Sequence, residues 1–254
     1  ELATTTHVFS IGAKTLTLSG TGVLAGVVIT LDNSDSLITK LAGSTGNINN
    51  ALSLANAVVL NGSKGISSLA AFTIAGNVSF AGTSGHLRIG CNAVTVAYTG
   101  AAITVGDNQI TVAGTGGSMA GTFNNTNQIN LNHADSLINL TDCTVSKISQ
   151  ITADANSGKG IAVVTTASTI TALTHTTSSR IALGAQLTIT NGFTMNAVLT
   201  LTGAGTLAGG LITLNDNTAQ IVKTGTGAVS NNITITNAAS TSLDIDGTCT
   251  FSGT

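Results

Sequence analysis

The 254-residue chain repeats part of its own sequence near its two ends. The segment LTLSGTGVLAGVVITLDNSDSLITK begins at Leu16, and LTLTGAGTLAGGLITLNDNTAQIVK begins at Leu199. A looser copy between them begins at Ile110, where ITVAGTG is followed by SMAG and, after an Asn-rich insertion, by INLNHADSLI. Such long-range copying is typical of proteins in which one structural unit stacks on the next, so it constrains the fold more than any other feature.

The copies at Leu16 and Leu199, the first and third in chain order, share glycines, apolar residues and one lysine. These residues are Gly20, Gly22, Leu24, Ala25, Gly26, Ile29, Leu31 and Lys40 in the first copy, and Gly203, Gly205, Leu207, Ala208, Gly209, Ile212, Leu214 and Lys223 in the third. The three starting points predict a repeating unit of roughly 90 residues. Because that is too long for one coil of a known solenoid repeat, each unit must hold several coils.

Within each unit, apolar residues alternate with polar ones, as in Leu187 and Ile189 or Ile233 and Ile235. A period of two predicts short strands with one buried face. Pairs such as Asn61-Gly62 and Asn191-Gly192 separate these strands and are typical of tight turns. We find no segment with a convincing helical period.

Short strands and tight turns fit either an antiparallel sandwich or a parallel β-helix. The repeats favour the β-helix, because each coil buries its inner face on the next and equivalent positions meet equivalent demands. We therefore predict an all-β, single-stranded parallel β-helix of roughly ten coils, each of about 20 to 25 residues, in a rod about 50 Å long. Residues 1–254 are expected to form one β-solenoid domain with Thr, Ser and Asn facing outward or stacking in ladders.

The composition excludes several functional classes. Charged residues make up 7% of the chain and the formal net charge is -2, with no cluster of Lys or Arg, so the chain lacks the basic surface of a nucleic-acid-binding protein. The longest apolar stretch, residues 23–31, is far shorter than the roughly 20 residues of a spanning helix, so we expect no membrane span in this chain.

The GTG and LTLSG phrases and the Gly/Thr/Asn-rich alternation resemble the β-helical passenger regions of bacterial autotransporters and filamentous-haemagglutinin-type adhesins. The resemblance covers nearly the whole chain. It implies a secreted or surface-held protein with a role in adhesion, biofilm or matrix, with host or matrix glycans among its partners.

No pattern of acids predicts catalysis or a cofactor, and the chain is expected not to be an enzyme. The closest acids, Asp32 with Asp35 and Asp244 with Asp246, lie in sequences where turn hydrogen bonds are their ordinary role. Two clusters offer the oxygen ligands that calcium prefers, residues 32–35 and residues 215–217. Neither matches an EF-hand loop or a calcium-binding solenoid repeat, and no catalytic, cofactor or metal site is predicted.

The remaining polar and sulfur side chains are assigned structural roles. Arg88 and Arg180 occupy similar places in HLRIG and SSRIALG, which favours structure over a single active site but leaves open a contact in a sugar-binding groove. The four histidines are expected at the surface or in turns; they are His7, His86, His133 and His175. The three cysteines show no metal spacing and are expected to be buried, with an intermolecular cross-link as the alternative; they are Cys91, Cys143 and Cys249.

We carry three hypotheses for function. The first is a structural subunit or stalk of an extracellular fibre that associates end to end, since the final TCTFSGT echoes TLTLSGT near the start and offers an uncapped strand edge. The second is a carbohydrate-binding or carbohydrate-active β-helix. The third is an ice-binding solenoid, suggested by pairs such as Thr169/Thr171 and Thr188/Thr190, although their uneven spacing argues for ordinary strand threonines.

Overall fold

A computed structural model describes residues 8–114, 121–152 and 160–236. The fold is a β-solenoid of about 9 turns with about 53% strand and no helix in its described part. Every strand pairing is parallel, and each strand pairs with the equivalent strand of the next coil. The all-β parallel β-helix predicted from the repeats is therefore confirmed.

The strands fall into three sheets that run along the rod. The four-stranded sheet contains β1 (Val8–Ser10), β4 (Val28–Leu31), β7 (Leu52–Leu54) and β10 (Val78–Phe80). The ten-stranded sheet contains β2 (Thr15–Leu18), β5 (Leu37–Lys40), β8 (Gly65–Ser68), β11 (His86–Gly90), β14 (Gln109–Ala113), β17 (Leu137–Thr141), β19 (Gly160–Val163), β21 (Ser179–Leu183), β24 (Val198–Thr202) and β27 (Gln220–Lys223).

The third sheet has fourteen strands. Beyond β10, where the four-stranded sheet ends, strands of this third sheet also form that face of the rod. It contains β3 (Val23–Leu24), β6 (Asn47–Ile48), β9 (Phe72–Ile74), β12 (Thr95–Tyr98), β13 (Ile103–Thr104), β15 (Gly121–Asn125), β16 (Ile129–Asn132), β18 (Cys143–Thr152), β20 (Ser168–His175), β22 (Leu187–Ile189), β23 (Phe193–Met195), β25 (Leu207–Gly209), β26 (Ile212–Leu214) and β28 (Ile233–Ile235). Strand β18 is long enough to pair with both β15 and β16, so it joins two faces of the coil.

Coil length varies along the rod. In the ten-stranded sheet, Leu37 pairs with Gly65, and Ser179 pairs with Leu199. The coil between the first two residues is clearly longer than the coil between the second two, and it exceeds the length predicted from the sequence. Because the strands keep their register, the extra residues are placed in the connections between strands.

Inward-facing apolar residues stack in columns to form one continuous core. One column runs through Ile38, Ile66, Ile89, Val112 and Leu140, each paired with the next in register. All five are buried. Alternate residues of these strands face outward, which is the period of two seen in the sequence.

The expectation that Ser and Asn face outward is wrong for several corner residues. Those that are buried include Ser36, Asn50, Ser68, Asn108, Asn125, Ser136, Ser149, Ser168, Ser179 and Asn231. Asn50 and Asn231 occupy equivalent corners after the first and third copies, and each donates to a carbonyl of the preceding coil, that of Val27 at 2.6 Å and that of Gly210 at 2.8 Å. These side chains supply hydrogen bonds at turns, where the backbone hydrogen bonds between parallel strands are interrupted.

The recurring lysines also face inward. Lys40 and Lys223 end equivalent strands, β5 and β27, and both are buried. The Lys40 ammonium donates to the carbonyl of Ala71 at 2.6 Å, and the Lys223 ammonium donates to that of Gly203 at 3.2 Å. Burial lowers the pKa of Lys40. The matching lysines therefore serve the packing of the turns.

Candidate functional site

The turn considered for calcium uses its side-chain oxygens to hold the backbone. The Asp32 carboxylate accepts the N–H of Gly12 from the preceding coil at 2.8 Å. The Asn33 side chain accepts the N–H of Asp35 at 3.0 Å, and the Ser36 hydroxyl donates to the carbonyl of Gly12 at 2.7 Å. The carboxylate of Asp35 accepts the amide of Asn61 at 3.3 Å. This geometry agrees with the turn role predicted for Asp32 and Asp35.

The same turn recurs in the other two copies. The hydroxyl of Ser136 donates to the carbonyl of Gly106 at 2.6 Å, as Ser36 does in the first copy. In the third copy, Asp216 accepts the N–H and hydroxyl of Thr218 at 2.9 and 2.8 Å, and these bonds lower the pKa of its carboxyl. Both clusters considered for calcium are thus turns that the repeat preserves.

A cluster that the sequence did not single out lies at the corner between two coils. Ligand atoms of Asp107, His133 and Asp135 lie within 4.8 Å of one another. However, the Nδ1 atom of His133 accepts the backbone N–H of Asp135 at 3.1 Å. The ring of His133 therefore already takes part in the turn that positions Asp135.

Arg88 lies on the outer face of the ten-stranded sheet, beside a cavity of about 300 Å³. Its Nε atom donates to the carbonyl of Leu60 at 2.7 Å, which ties the side chain to the preceding coil. Lys64, Ser67 and Thr111 also line the cavity. If Arg88 contacts a sugar in a groove, as the sequence left open, the contact would lie in this cavity.

Arg180 does not share this cavity. When the strand pairings are followed from coil to coil, Leu87 lies in line with Ile181. Arg88 is therefore in line with residue 182, and Arg180 lies two residues before that position on its strand. The prediction of similar places holds for the sheet and its outer face but not for the position along the strand.

The histidines do not all lie at the surface. His133 is an exposed turn residue, and His86 is half-buried with its Nε2 atom 2.7 Å from the hydroxyl of Thr111. His175 contradicts the prediction, because it is 1% exposed and its ring stacks at a tilt on Phe193 with centroids 6.2 Å apart. Burial lowers the pKa of His175 to about 4. For His86, burial and the nearby Arg88 likewise lower the pKa to about 4.

Two cysteines are described, and both are buried and free of disulfides. Burial raises the pKa of Cys91 to about 12 and that of Cys143 to about 11. A thiol is nucleophilic only as the thiolate, so neither side chain is a candidate nucleophile. This agrees with the prediction that they pack as small apolar residues.

Threonines form a ladder on the outer face of the fourteen-stranded sheet. Thr95, Thr122, Thr144, Thr169 and Thr188 are paired in register, one from each of five successive coils. Their uneven spacing in the sequence reflects unequal coil lengths and does not disturb their alignment. Two of the pairs considered from the sequence, Thr169/Thr171 and Thr188/Thr190, lie in this ladder, whereas Thr95, Thr122 and Thr144 are not followed by a second threonine.

No described residue covers the inner face of the first described coil. Phe9 is 47% exposed, although Phe193, in the equivalent strand position just before the third copy, is 7% exposed. Phe9 pairs with Ile29 and Phe193 with Ile212, the isoleucine that recurs in the repeat. Leu24 is 36% exposed, whereas its equivalent Leu207 is fully buried. Strands β1, β2 and β3 are terminal strands of their three sheets. The described chain thus ends in an apolar face with three unpaired strand edges, which we call the open end.

No family model, curated protein or solved structure matches the chain. No helix in the described ranges is long and apolar enough to cross a membrane. Several predictions concern residues outside the described ranges: His7, Asp244, Asp246, Cys249 and the final TCTFSGT.

Proposed function

We propose that the chain is a rod-shaped structural subunit of an extracellular or cell-surface fibre, and that copies associate end to end by stacking their coils. The observation that carries the proposal is the stacking of parallel coils in one register, in which the first described coil presents three strand edges and an apolar face along the rod axis. Unpaired edges with exposed apolar residues are the usual sites of strand addition. An adhesive role and placement at the cell surface come from the resemblance to autotransporter passengers and haemagglutinin-type adhesins.

The continuous core supports a mechanical role for the rod. Its apolar columns run through successive coils in one register, so each coil is held by its neighbours through both backbone hydrogen bonds and side-chain packing. A head-to-tail contact between two such rods does not close on itself and generates a filament. Function in this account is mechanical and needs no catalytic group.

Sedimentation velocity over a concentration series of the 254-residue chain tests the proposal. We expect the sedimentation coefficient to rise with concentration while the frictional ratio also rises, because rods that join at their ends lengthen. A compact oligomer would raise the first quantity and lower the second. A chain that stays monomeric over the whole range would contradict the fibre proposal.

The threonine ladder supports a second candidate function, the ordering of water on a flat face and the binding of ice. Five hydroxyl-bearing residues are repeated at the coil rise of about 4.8 Å, and Ser146, Thr171 and Thr190 follow two residues after three of them. A regular array of this kind can hold ordered water, whereas scattered threonines cannot. The alternative is that the ladder only stabilises the sheet through cross-strand threonine pairs.

Thermal hysteresis distinguishes these two roles of the ladder. If the face binds ice, the wild type shows hysteresis and the double variant Thr144→Val, Thr169→Val loses most of it, since valine keeps the shape and removes the hydroxyl. Thr15→Val, on another sheet, is the matched control and should leave it unchanged. A wild type without hysteresis excludes ice binding.

A further inference from the structure

We propose that the cavity beside Arg88 binds one carboxylate-bearing sugar unit, such as a uronic acid, on the outer face of the rod. Such a site goes beyond the proposed structural role and is independent of it, because it lies on the side of the rod and not at the contact between copies. The charge of the cavity, its positioned hydroxyl groups and its flat floor all point to this class of ligand.

Two cations line the cavity without an acid to compensate them. They are Lys64 and Arg88, and both are half-buried. In the described ranges, no carboxylate lies within ion-pairing distance of either side chain, and the ion pair that is present joins His133 to Asp135 elsewhere. Acids outnumber bases in this chain, ten to eight, so unpaired cations at one cavity do not follow from composition. A bound anion would supply the missing charge.

The guanidinium of Arg88 is held in place and keeps donors to spare. Its Nε atom donates to the carbonyl of Leu60 at 2.7 Å, whereas no described residue accepts a hydrogen bond from its two terminal nitrogens. The parallel N–H groups of a guanidinium match the two oxygens of a carboxylate. Because the side chain is already tied to the preceding coil, little conformational entropy is lost when a carboxylate binds to it.

Two hydroxyl groups in the lining are also positioned by neighbouring side chains. The hydroxyl of Thr111 lies 2.7 Å from the Nε2 atom of His86. The hydroxyl of Ser67 accepts the side-chain amide of Asn92 at 2.8 Å. A hydroxyl group both donates and accepts, so each retains the capacity for a further bond. The hydroxyl groups of a sugar are suitable partners for both.

The floor of the cavity is flat because the outward-facing residues there are small. Ser67, Gly90 and Ala113 pair in register from coil to coil. The φ of Gly90 is not positive, and a Cβ atom there would lie 3.2 Å from the Ser67 hydroxyl, which is a close contact but not a collision. Glycine in a paired strand often marks a place where a ligand approaches the backbone. The C–H face of a sugar ring can lie on such a floor.

Size and chemistry together select the ligand. A volume of about 300 Å³ is at the small end of the range for small-molecule sites, which suits a single sugar ring. An inorganic anion would satisfy the two cations but would leave the hydroxyl groups and the floor without a partner. A neutral sugar would leave the cations unpaired. A sugar that carries a carboxylate satisfies all three features.

Saturation-transfer difference NMR tests the proposal, because it observes the sugar and works whether or not copies of the chain associate. The probes are galacturonic acid and glucuronic acid, with galactose and glucose as their neutral counterparts. We expect signals from at least one of the two acids and none from the neutral sugars at the same concentration. Trigalacturonate distinguishes the source of the ligand: a site for a polysaccharide unit binds it more tightly than galacturonic acid, and a site for a free sugar acid does not.

Three variants locate the site. Lys64→Gln removes one of the two charges and should weaken binding of the acid by about tenfold, the effect of one charge-assisted contact. Ala113→Leu fills the floor and should abolish the signal with little change in thermal midpoint, since residue 113 faces outward. Lys14→Gln is the matched control, because Lys14 is exposed and lies outside the cavity, and it should bind like the wild type.

Each contrary result overturns a stated part of the proposal. No signal from either acid, or equal signals from acids and neutral sugars, would overturn the site as a whole. Displacement of the acid by equimolar sulfate, together with unchanged binding in Ala113→Leu, would show a site for simple anions and overturn the sugar. Equal weakening by Lys14→Gln and Lys64→Gln would show a general attraction outside the cavity. These results are independent of the fibre proposal, which sedimentation tests.

Discussion

Replacing Asn125 by alanine is expected to lower the free energy of unfolding by about 3 to 5 kcal/mol. Asn125 is 1% exposed. Its amide nitrogen donates to the carbonyls of Asn127 and Lys147 at 2.8 and 2.7 Å, and its amide oxygen accepts the N–H groups of Ser146 and Lys147 at 3.1 and 3.3 Å. Alanine would remove all four bonds and leave a cavity in their place.

The loss of stability is large because the Asn125 side chain bridges a gap in the backbone hydrogen bonds between neighbouring coils. Strand β18 pairs with β15 as far as Val145 and with β16 from Ile148, and the neighbouring coil turns between these points. The Asn125 side chain bonds the backbone of β18 in that interval. A buried polar group that loses its partner costs more than an average hydrogen bond contributes.

Urea unfolding of matched variants measures the effect. Asn124→Ala is the control, because Asn124 is exposed and its side chain accepts the hydroxyl of Ser146 at 3.0 Å. It should change the free energy of unfolding by less than about 1 kcal/mol. Equal effects of the two substitutions would show that the Asn125 bridge does not hold the corner.

Acidification is expected to destabilise the protein through His175, by about 2 kcal/mol between pH 7 and pH 4.5. The folded chain holds the pKa of His175 at about 4, below the 6.5 that is usual for histidine. Between these two values the unfolded chain binds the proton and the folded chain does not. Stability is therefore highest above the unfolded pKa and falls as the pH drops toward the folded pKa.

The variant His175→Leu isolates this effect. Neither ring nitrogen makes a well-aligned hydrogen bond to the described residues, so leucine should leave the protein at least as stable at pH 7. The decline in free energy of unfolding between pH 7 and pH 4.5 should become shallower by about 2 kcal/mol. Asn124→Ala, which removes no titratable group, should keep the wild-type slope. An unchanged slope in His175→Leu would mean that the ring is accessible to protons in the fold.

The architecture could be predicted from the sequence because the stacking of coils requires a periodic sequence. Alternation such as Leu187 and Ile189 marks the strands, and the copies at Leu16 and Leu199 mark the coils. No periodic pattern in the sequence indicates that Asn125 and His175 are buried. Their burial depends on where the corner of one coil lies relative to the next coil. The division of 1–254 as one domain stays a prediction.

The open end was predictable only in part. Gly22 recurs in the sequence as Gly205, but a Cβ atom on Gly205 would collide with the carbonyl of Ala185, which sequence alone does not bring near. The strand edge expected at TCTFSGT falls outside the described residues, and the edge that the structure describes is at the other end. Ladders of threonine were expected in general, but the members of this one were not, because Thr95, Thr122 and Thr144 come from coils of unequal length and belong to no Thr-x-Thr pair.

Fibre diffraction from aligned, concentrated samples tests the central claim most directly. If coils stack within and between copies, filaments should be one solenoid wide and give a strong meridional reflection at about 4.8 Å, with strands perpendicular to the long axis. Dispersed monomers at every concentration, or filaments whose strands lie along the axis, would contradict the account.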